Sequence, residues 1–342
     1  MTHTVLSSLR RLSGRVLAGA VLTAALGLGA GAAEAQTTLR VTSQLPPSHP
    51  VTANLYEFKE IVEAESGGDL IIEIFDSAQL YKDSEVPQAV SSGAVEMGAA
   101  SLTRYAGTIP AVDFFYVPFS LPTFDAVRAA TAPDGKVRGL LDEAILETGA
   151  RVLWWQALGG AVIMSDREVR LPEDMKGLKV RVFGKTLGDF VELLGGAPAL
   201  ISGSEQFLAY QRGTVDAGMS SAAGVKSRKI YEVLDYTTVS NHATVEFIVL
   251  INEDVWQGLT DKQRELITSA GQQVEAKLRD EIIQEDLDAI EFLRNETEMT
   301  VIELSDEELE AWKAASAPMI DKYIEASGEL GKKVVEAAKE LQ

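Results

Sequence analysis

Hydrophobic and polar positions alternate through the middle of this chain and then change to a helical spacing. Between residues 178 and 183, Leu, Val and Val occupy one face, whereas Lys179, Arg181 and Phe183 occupy the other. Strict alternation of this kind predicts a half-buried β-strand. After Gly184 the apolar spacing becomes helical, and two glycines end that pattern after residue 194. The segment is therefore predicted to be a strand, a tight turn and a helix.

The same order of elements occurs twice. The predicted strands are 39–43, 70–75 and 94–100 in the first half, and 180–183, 197–201 and 214–219 in the second. The predicted helices between them are 51–66 and 85–92, and then 186–194 and 204–211. Such alternation predicts parallel, helix-covered sheets with right-handed crossovers. The similar runs Gly93–Gly98 and Gly213–Gly218 occupy matching places, so we expect two similar α/β lobes.

The remaining segments connect and cover these lobes. A strand at 245–251 is expected to cross back to the first lobe, and long helical periodicity follows at 261–298. Helices at 306–316 and from 319 onward complete the chain. We assign 36–157 plus about 245–285 to lobe I, 158–244 plus about 286–325 to lobe II, and 326–342 to a C-terminal helix.

The N-terminus has the pattern of a cleaved export signal. Three arginines precede an apolar run that begins at Val16, and Ala33-Glu34-Ala35 has the small residues of a cleavage site. A membrane anchor is the alternative, but the glycines and small residues of this run favour cleavage. We therefore expect residues 1–35 to be a signal peptide and the mature protein to be periplasmic.

Charge and composition restrict the partners. The net charge is −20, and removal of residues 1–35 takes away three arginines and one glutamate, which leaves −22. This excess argues against nucleic acid and anionic membrane surfaces as partners. An anionic ligand would be repelled at long range, so its site needs a local positive charge.

Candidate catalytic and metal-binding chemistry is sparse. The chain has no cysteine and three histidines, of which His3 lies in the signal segment. His49 and His242 lack metal-ligand spacing, and no glycine-rich phosphate loop occurs. We therefore expect no metal, no cofactor and no enzymatic activity. The best pair for an alternative carboxylate-dependent hydrolase or isomerase is Glu205 with Asp216.

Four motifs resemble the extracytoplasmic solute-binding subunits of TRAP transporters. They are Asp174-Met-Lys-Gly-Leu-Lys-Val-Arg181, Gly195-Gly-Ala-Pro198, Ser204-Glu205 and Tyr210-Gln-Arg-Gly-Thr-Val-Asp216. The resemblance extends over nearly all of the predicted mature chain. It implies a two-lobed periplasmic binding protein fold of the α/β class, with parallel-type sheets in each lobe and long C-terminal helices spanning both.

The resemblance also implies a function. A small organic anion would be enclosed between the lobes by hinge closure and delivered to TRAP permease membrane subunits, and the protein would act as a monomer. The family's principal carboxylate-binding arginine falls on Arg181. An arginine before a strand-to-helix turn suits this role, because its planar fork binds a carboxylate through two hydrogen bonds. The plainer interpretation is an exposed arginine whose stem covers apolar neighbours.

Four positions depart from the family pattern. A second arginine that is common in relatives falls near Ala161, a frequent proline is Phe183, a frequent asparagine is Ser220, and a frequent aromatic residue is Gly203. These changes leave fewer carboxylate donors and more apolar surface. We therefore expect a monocarboxylate or another mono-anion with a less polar body, and not a simple C4-dicarboxylate.

Further ligand-binding candidates lie at predicted strand ends. Arg104 offers a second cation beside Tyr105, although a surface position suits it equally. Trp155 is expected to face the cleft while Trp154 faces the core, and His242 is a further candidate. A sensory module that docks on a receptor kinase remains an alternative to transport.

Overall fold

A computed structural model describes residues 36–341 of the chain. The predicted signal peptide, residues 1–35, lies outside the described residues. Within the described part, no helix combines the length and the apolar character needed to cross a bilayer.

The elements alternate as the hydrophobic pattern predicts. The strands are β1 Thr37–Ser43, β2 Leu70–Phe75, β3 Met97–Ser101, β4 Ala150–Ser165, β5 Lys179–Val182, β6 Ala197–Leu200, β7 Ala217–Ser221, β8 Tyr236–Val239, β9 Thr244–Asn252 and β10 Thr300–Glu303. The helices are α1 Pro50–Ser66, α2 Val86–Ser91, α3 Phe124–Ala130, α4 Lys136–Leu146, α5 Lys185–Leu193, α6 Gln206–Gln211, α7 Ala222–Ser227, α8 Glu253–Gly258, α9 Asp261–Glu296, α10 Asp306–Ser316 and α11 Met319–Lys339.

Two groups of parallel strands are connected by two long strands. The order β2-β1-β3-β9-β4 forms the first strand group and β4-β7-β5-β6 the second, with β8 and β10 attached through β4. Strands β1, β2 and β3 run parallel to one another, as do β5, β6 and β7. Strands β4 and β9 are antiparallel to each other and to their other neighbours β7 and β3. Strand β4 belongs to both groups, so it joins them directly.

The predicted strand ranges did not include β4, which is sixteen residues long and almost entirely buried. Residues buried on both faces do not alternate, so periodicity gives little signal for such a strand. The predicted boundary at 157/158 falls at a β-bulge between Ala157 and Gly159. The division into lobes at that point stays a prediction.

The two similar sequence runs make equivalent contacts. Glu96, just before β3, accepts a hydrogen bond from the backbone N–H of Arg40 at 3.0 Å. Asp216, just before β7, accepts one from the backbone N–H of Lys179 at 2.9 Å. In each half an acidic side chain therefore fixes the start of one parallel strand against its neighbour. This agreement supports the structural repeat inferred from the sequence.

The C-terminal helices cover both strand groups. Helix α9, thirty-six residues long, packs against α1 beside the first group and α7 beside the second. Helix α11 lies against residues 110–116, where the Tyr323 hydroxyl donates to the carbonyl of Ala111 at 2.8 Å. The backbone of α11 is interrupted at Gly328, with φ of 60° and ψ of −141°. The long helices therefore tie the two groups together from outside.

Candidate functional site

A small cavity lies where the carboxyl ends of β3, β5 and β7 approach the crossing strands. Its volume is about 20 Å³, and its lining combines charged, polar and apolar side chains: Gln44, Asp83, Ser101, Leu158, Arg181, Phe183, Ser220, Arg228, Val245 and Phe247. Ligands of open α/β sheets bind at these strand ends. A larger groove of about 630 Å³ lies between residues 114–122 and helices α10 and α11, but its charges are surface lysines. The buried charges mark the smaller cavity as the candidate site.

Arg181 is held rigidly at the cavity wall. It is 3% exposed, and its Nε and Nη1 donate to the carbonyls of Ile201 at 3.0 Å and Met219 at 2.7 Å. Its guanidinium lies 5.3 Å from the centre of the Phe183 ring. Burial lowers its pKa to about 10, so the group stays charged at neutral pH. Within residues 36–341 Nη2 makes no hydrogen bond, so Arg181 keeps donors for a ligand.

Arg228 is a second cation at the same wall, and it follows the last residue of α7. Its guanidinium makes no hydrogen bond or ion pair within the described residues. Burial, and after it the positive charge of Arg181, lower its pKa to about 10. Both guanidinium groups line the same cavity, so they lie close to each other. Although the residue as a whole is only half-buried, its guanidinium is enclosed.

A buried ion pair completes the charged part of the site. The Nε of Arg104 donates to Oδ2 of Asp83, and the side chains are 6% and 1% exposed. The other carboxylate oxygen of Asp83 accepts a hydrogen bond from the backbone N–H of Ser101 at 3.0 Å. Asp83 is therefore neutralised by Arg104, whose Nη2 is buried without a partner in the described part of the chain.

Polar and apolar groups divide the rest of the lining. Gln44 presents a buried Oε1 without a hydrogen-bond partner among residues 36–341, so the site has an acceptor to offer as well as cations. Leu158, Val245, Phe247 and Phe183 form an apolar wall. Cations beside an apolar wall suit an organic anion.

The structure brings five of the nine predicted site residues together. Arg181, Phe183 and Ser220 line the cavity. Gly203 lies beside it, since a Cβ atom there would stand 2.6 Å from Oε1 of Gln44 and 2.8 Å from an Nη atom of Arg228. Arg104 reaches the cavity through its ion pair with Asp83.

The other four residues lie outside the lining. Ala161 is fully buried in β4 opposite Ser221. Trp155 is also fully buried, and its Nε1 donates to Asp142 at 2.9 Å, so the indole is part of the core. The sequence placed it at a strand end, whereas it lies within β4.

Tyr105 and His242 are directed elsewhere. Tyr105 is 3% exposed in the largest core cluster, where burial raises the pKa of its hydroxyl to about 12. His242 is fully buried, and its Nδ1 lies 2.8 Å from the hydroxyl of Ser240. Its ring packs 5.9 Å from that of Phe190, and burial lowers its pKa to about 4. Both residues therefore support the structure around the site.

Sequence reasoning did not select Arg228, Asp83, Leu158, Val245 or Phe247 for the site. Arg228 follows a six-residue helix, and nothing in its local pattern separates it from Lys226 or Lys229 nearby. Glu232 lies four residues after Arg228 and three after Lys229, so charge spacing does not separate the two; only the folded chain does, since Glu232 pairs with Lys229. Gln44 and Ser101 directly follow the predicted strands 39–43 and 94–100, so their positions at strand ends follow from the sequence.

Several contacts join segments that are distant in sequence around the cavity. Lys82 pairs with Glu205 at 2.7 Å, and the backbone N–H of Phe119 donates to the carbonyl of His242 at 2.8 Å. The buried carboxylate of Asp113 accepts from the backbone N–H of Thr186 at 3.1 Å. These contacts link the segments around the cavity to one another.

Carboxylates and histidines do not converge on a catalytic or metal-binding arrangement in the described residues. Among residues 36–341, no cluster of His, Asp and Glu side chains could hold a metal ion. Glu205 is exposed and pairs with Lys82, while Asp216 binds the backbone of Lys179. His49 caps α1, since its Nδ1 accepts a hydrogen bond from the backbone N–H of Val51 at 3.2 Å.

Comparison with known proteins gives a consistent match. The family model for bacterial extracellular solute-binding protein family 7, DctP, matches residues 41–326. The C4-dicarboxylate-binding periplasmic protein DctP of Rhodobacter capsulatus is 27% identical over 322 residues, which cover 93% of this chain and 95% of that protein.

Solved structures share the fold. A TRAP periplasmic solute-binding protein from Shewanella oneidensis with bound succinate superposes with a TM-score of 0.85 at 24% identity, covering 90% of this chain and 99% of that one. An extracytoplasmic solute receptor of Bordetella pertussis that binds pyroglutamic acid gives 0.84 at 21% identity, covering 89% and 99%. These matches confirm the predicted fold class.

Proposed function

This chain belongs to bacterial extracellular solute-binding protein family 7, the solute-binding proteins of TRAP transporters, and we propose that it captures a small organic anion beside Arg181. The family consists of non-enzymatic binding proteins, which confirms the expectation that the chain is not an enzyme. On this proposal it works in the periplasm and delivers the bound anion to TRAP membrane subunits.

Arg181 is the observation that carries the proposal. Two carbonyls fix the guanidinium, so its remaining donors are oriented before a ligand arrives. Because the group is buried, a carboxylate bound to it would be screened little by solvent. The Phe183 ring covers one side of the guanidinium and continues into the apolar wall. A carboxylate at Arg181 with its carbon skeleton along this wall fits the lining.

On this proposal, the two strand groups move apart to admit the ligand and close again around it. The cavity of about 20 Å³ holds little more than a water molecule, so an organic acid needs the wall to open. The Lys82–Glu205 pair, one of the contacts that opening would break, is about half exposed. Exposed ion pairs contribute only about 0–1 kcal/mol, so they oppose opening weakly. On our proposal the ligand then supplies the interactions that favour the closed form.

A thermal-shift screen of small organic acids tests this function. A ligand at one hundred times its Kd should add about 2.7 kcal/mol to the free energy of unfolding. Arg181→Ala should weaken binding by about 2–5 kcal/mol, or roughly 30- to 5,000-fold, because a buried charge loses its partner. Arg212→Ala is the matched control, since Arg212 is exposed at the end of α6. A folded Arg181→Ala protein with unchanged affinity would remove Arg181 from the site.

A further inference from the structure

The charges around the cavity do not balance. Four ionised side chains approach it: the Arg104–Asp83 ion pair, which is neutral as a unit, and the guanidinium groups of Arg181 and Arg228. Among residues 36–341, neither Arg181 nor Arg228 forms an ion pair with a carboxylate. Two positive charges therefore remain uncompensated at one small site.

Such an arrangement is costly unless a ligand completes it. Removing an ionised group from water is penalised by several kcal/mol, and two like charges also repel each other. Elsewhere in this protein, buried arginines have carboxylate partners: Arg279 pairs with Glu246 at 2.9 Å, and Arg138 with Glu275 at 2.5 Å. Arg181 and Arg228 are exceptions at a shared cavity. Their charges are available to an anion.

Local backbone geometry makes room for Arg228. A Cβ atom on Gly203 would stand 2.8 Å from its Nη2, and a Cβ atom on Gly224 would stand 3.1 Å from its Nη1. Any larger side chain at residue 203 would force the guanidinium to shift. Helix α7, which Arg228 directly follows, begins after Ser221, the residue that pairs with Ala161 across β4 and β7. Arg228 thus reaches the site from the end of α7, which starts beside Ala161, the position near which relatives carry a second arginine.

We propose that Arg228 is the second anion-binding residue of this site and that it makes the protein prefer doubly charged over singly charged small acids. The proposal rests on the function proposed above, since it concerns the same cavity. One acidic group of the ligand binds Arg181 and the other binds Arg228, while the short carbon chain between them lies against Leu158 and Phe247. The sequence-based expectation of a singly charged ligand counted Arg181 but not Arg228. A doubly charged ligand replaces that expectation.

Calorimetric titration of matched acids tests the proposal. Malonate, succinate and glutarate are each compared with their monoamides, which keep the length and one carboxylate but lose a charge. We expect the wild-type protein to bind the preferred dicarboxylate at least 30-fold more tightly than its monoamide, the scale for a desolvated charge pair. Arg228→Gln should reduce that ratio to about threefold or less, chiefly by weakening the dicarboxylate.

Variants separate this role from a structural one. Arg228→Lys keeps the charge and should restore part of the preference, whereas Arg212→Gln makes the same change of net charge at an exposed position and should leave the ratio unaltered. Arg181→Lys should weaken binding of the diacid and of its monoamide together. Circular dichroism and urea unfolding establish that each variant is folded.

Each outcome bears on a different statement. A wild-type protein that binds monoamides as tightly as diacids, or that binds no diacid of this set, would overturn the charge preference while leaving binding of another organic anion open to the thermal-shift screen. A folded Arg228→Gln protein that keeps the wild-type ratio would overturn the assignment of Arg228. A wild-type protein that binds no anion in either the calorimetric titration or the thermal-shift screen would refute the proposed function itself.

Discussion

The stability of this protein should respond to pH through Asp286, a buried carboxyl group of α9. Its Oδ2 accepts a hydrogen bond from the backbone N–H of Gly160 at 2.9 Å, while Oδ1 has no partner within residues 36–341. No cation pairs with it in that part of the chain, and Glu285 adds a nearby negative charge. Burial therefore raises its pKa from 3.8 to about 7.

The sign of the effect follows from this direction. A raised pKa in the folded state means that the native protein holds the proton more tightly than the unfolded chain does. The stabilisation is complete below the unfolded pKa of 3.8 and is lost as the pH rises through about 7. Between pH 5 and 8 the loss is about 2–3 kcal/mol in the free energy of unfolding, at 1.36 kcal/mol for each tenfold change in proton concentration.

The variant Asp286→Asn isolates this contribution. Its amide oxygen still accepts the Gly160 hydrogen bond, but the side chain does not ionise. Other buried groups also change charge with pH: burial lowers the pKa of His49 and His242 and raises that of Glu275. These groups are present in both proteins, so their effects cancel in the difference between variant and wild type.

Urea unfolding followed by tryptophan fluorescence at several pH values gives the measurement. Relative to wild type, Asp286→Asn should gain about 2–3 kcal/mol between pH 5 and pH 8. A matched control is Asp288→Asn, an exposed aspartate on the same helix, whose difference from wild type should stay within about 0.5 kcal/mol. A difference for Asp286→Asn that is flat, or that falls with pH, would refute the raised pKa and the burial argument behind it.

Two further predictions concern Gly159 in strand β4 and the exposed ion pair of Lys82. Gly159→Ala should destabilise the protein by more than about 1 kcal/mol in urea unfolding, because φ is 90° and the new Cβ would meet Oδ2 of Asp286. Gly139→Ala, at an exposed and open position of α4, should instead stabilise it by about 0.5–1 kcal/mol, and equal effects of the two would contradict this reasoning. Lys82→Ala removes an exposed ion pair across the cleft and should weaken anion binding by at most about fivefold. Calorimetry at low and high salt would expose the error if the loss were larger or persisted in high salt.

Local sequence determined much of this protein. The alternation at 178–183, the helical spacing after Gly184 and the repeated order of elements predicted two sets of parallel strands, because strand and helix periodicities are properties of short segments. The motif that contains Arg181 placed the arginine on a strand leading into the cavity. The long helix predicted at 261–298 is present as α9. These features need no knowledge of distant contacts.

Only the tertiary structure decided which side chains meet. Arg228, Asp83 and Phe247 come from three separate segments, and crossing strands β4 and β9 bring them to one cavity. The charge of an arginine is evident from sequence, but its burial and its lack of a carboxylate partner depend on every neighbouring segment. Trp155 was predicted to face the cleft, but packing in the middle of β4 places it in the core beside Asp142. The sequence thus determined the secondary-structure elements and the position of Arg181 on its strand. Packing decided how many charges line the cavity, because desolvation and pairing arise only when the whole chain has folded.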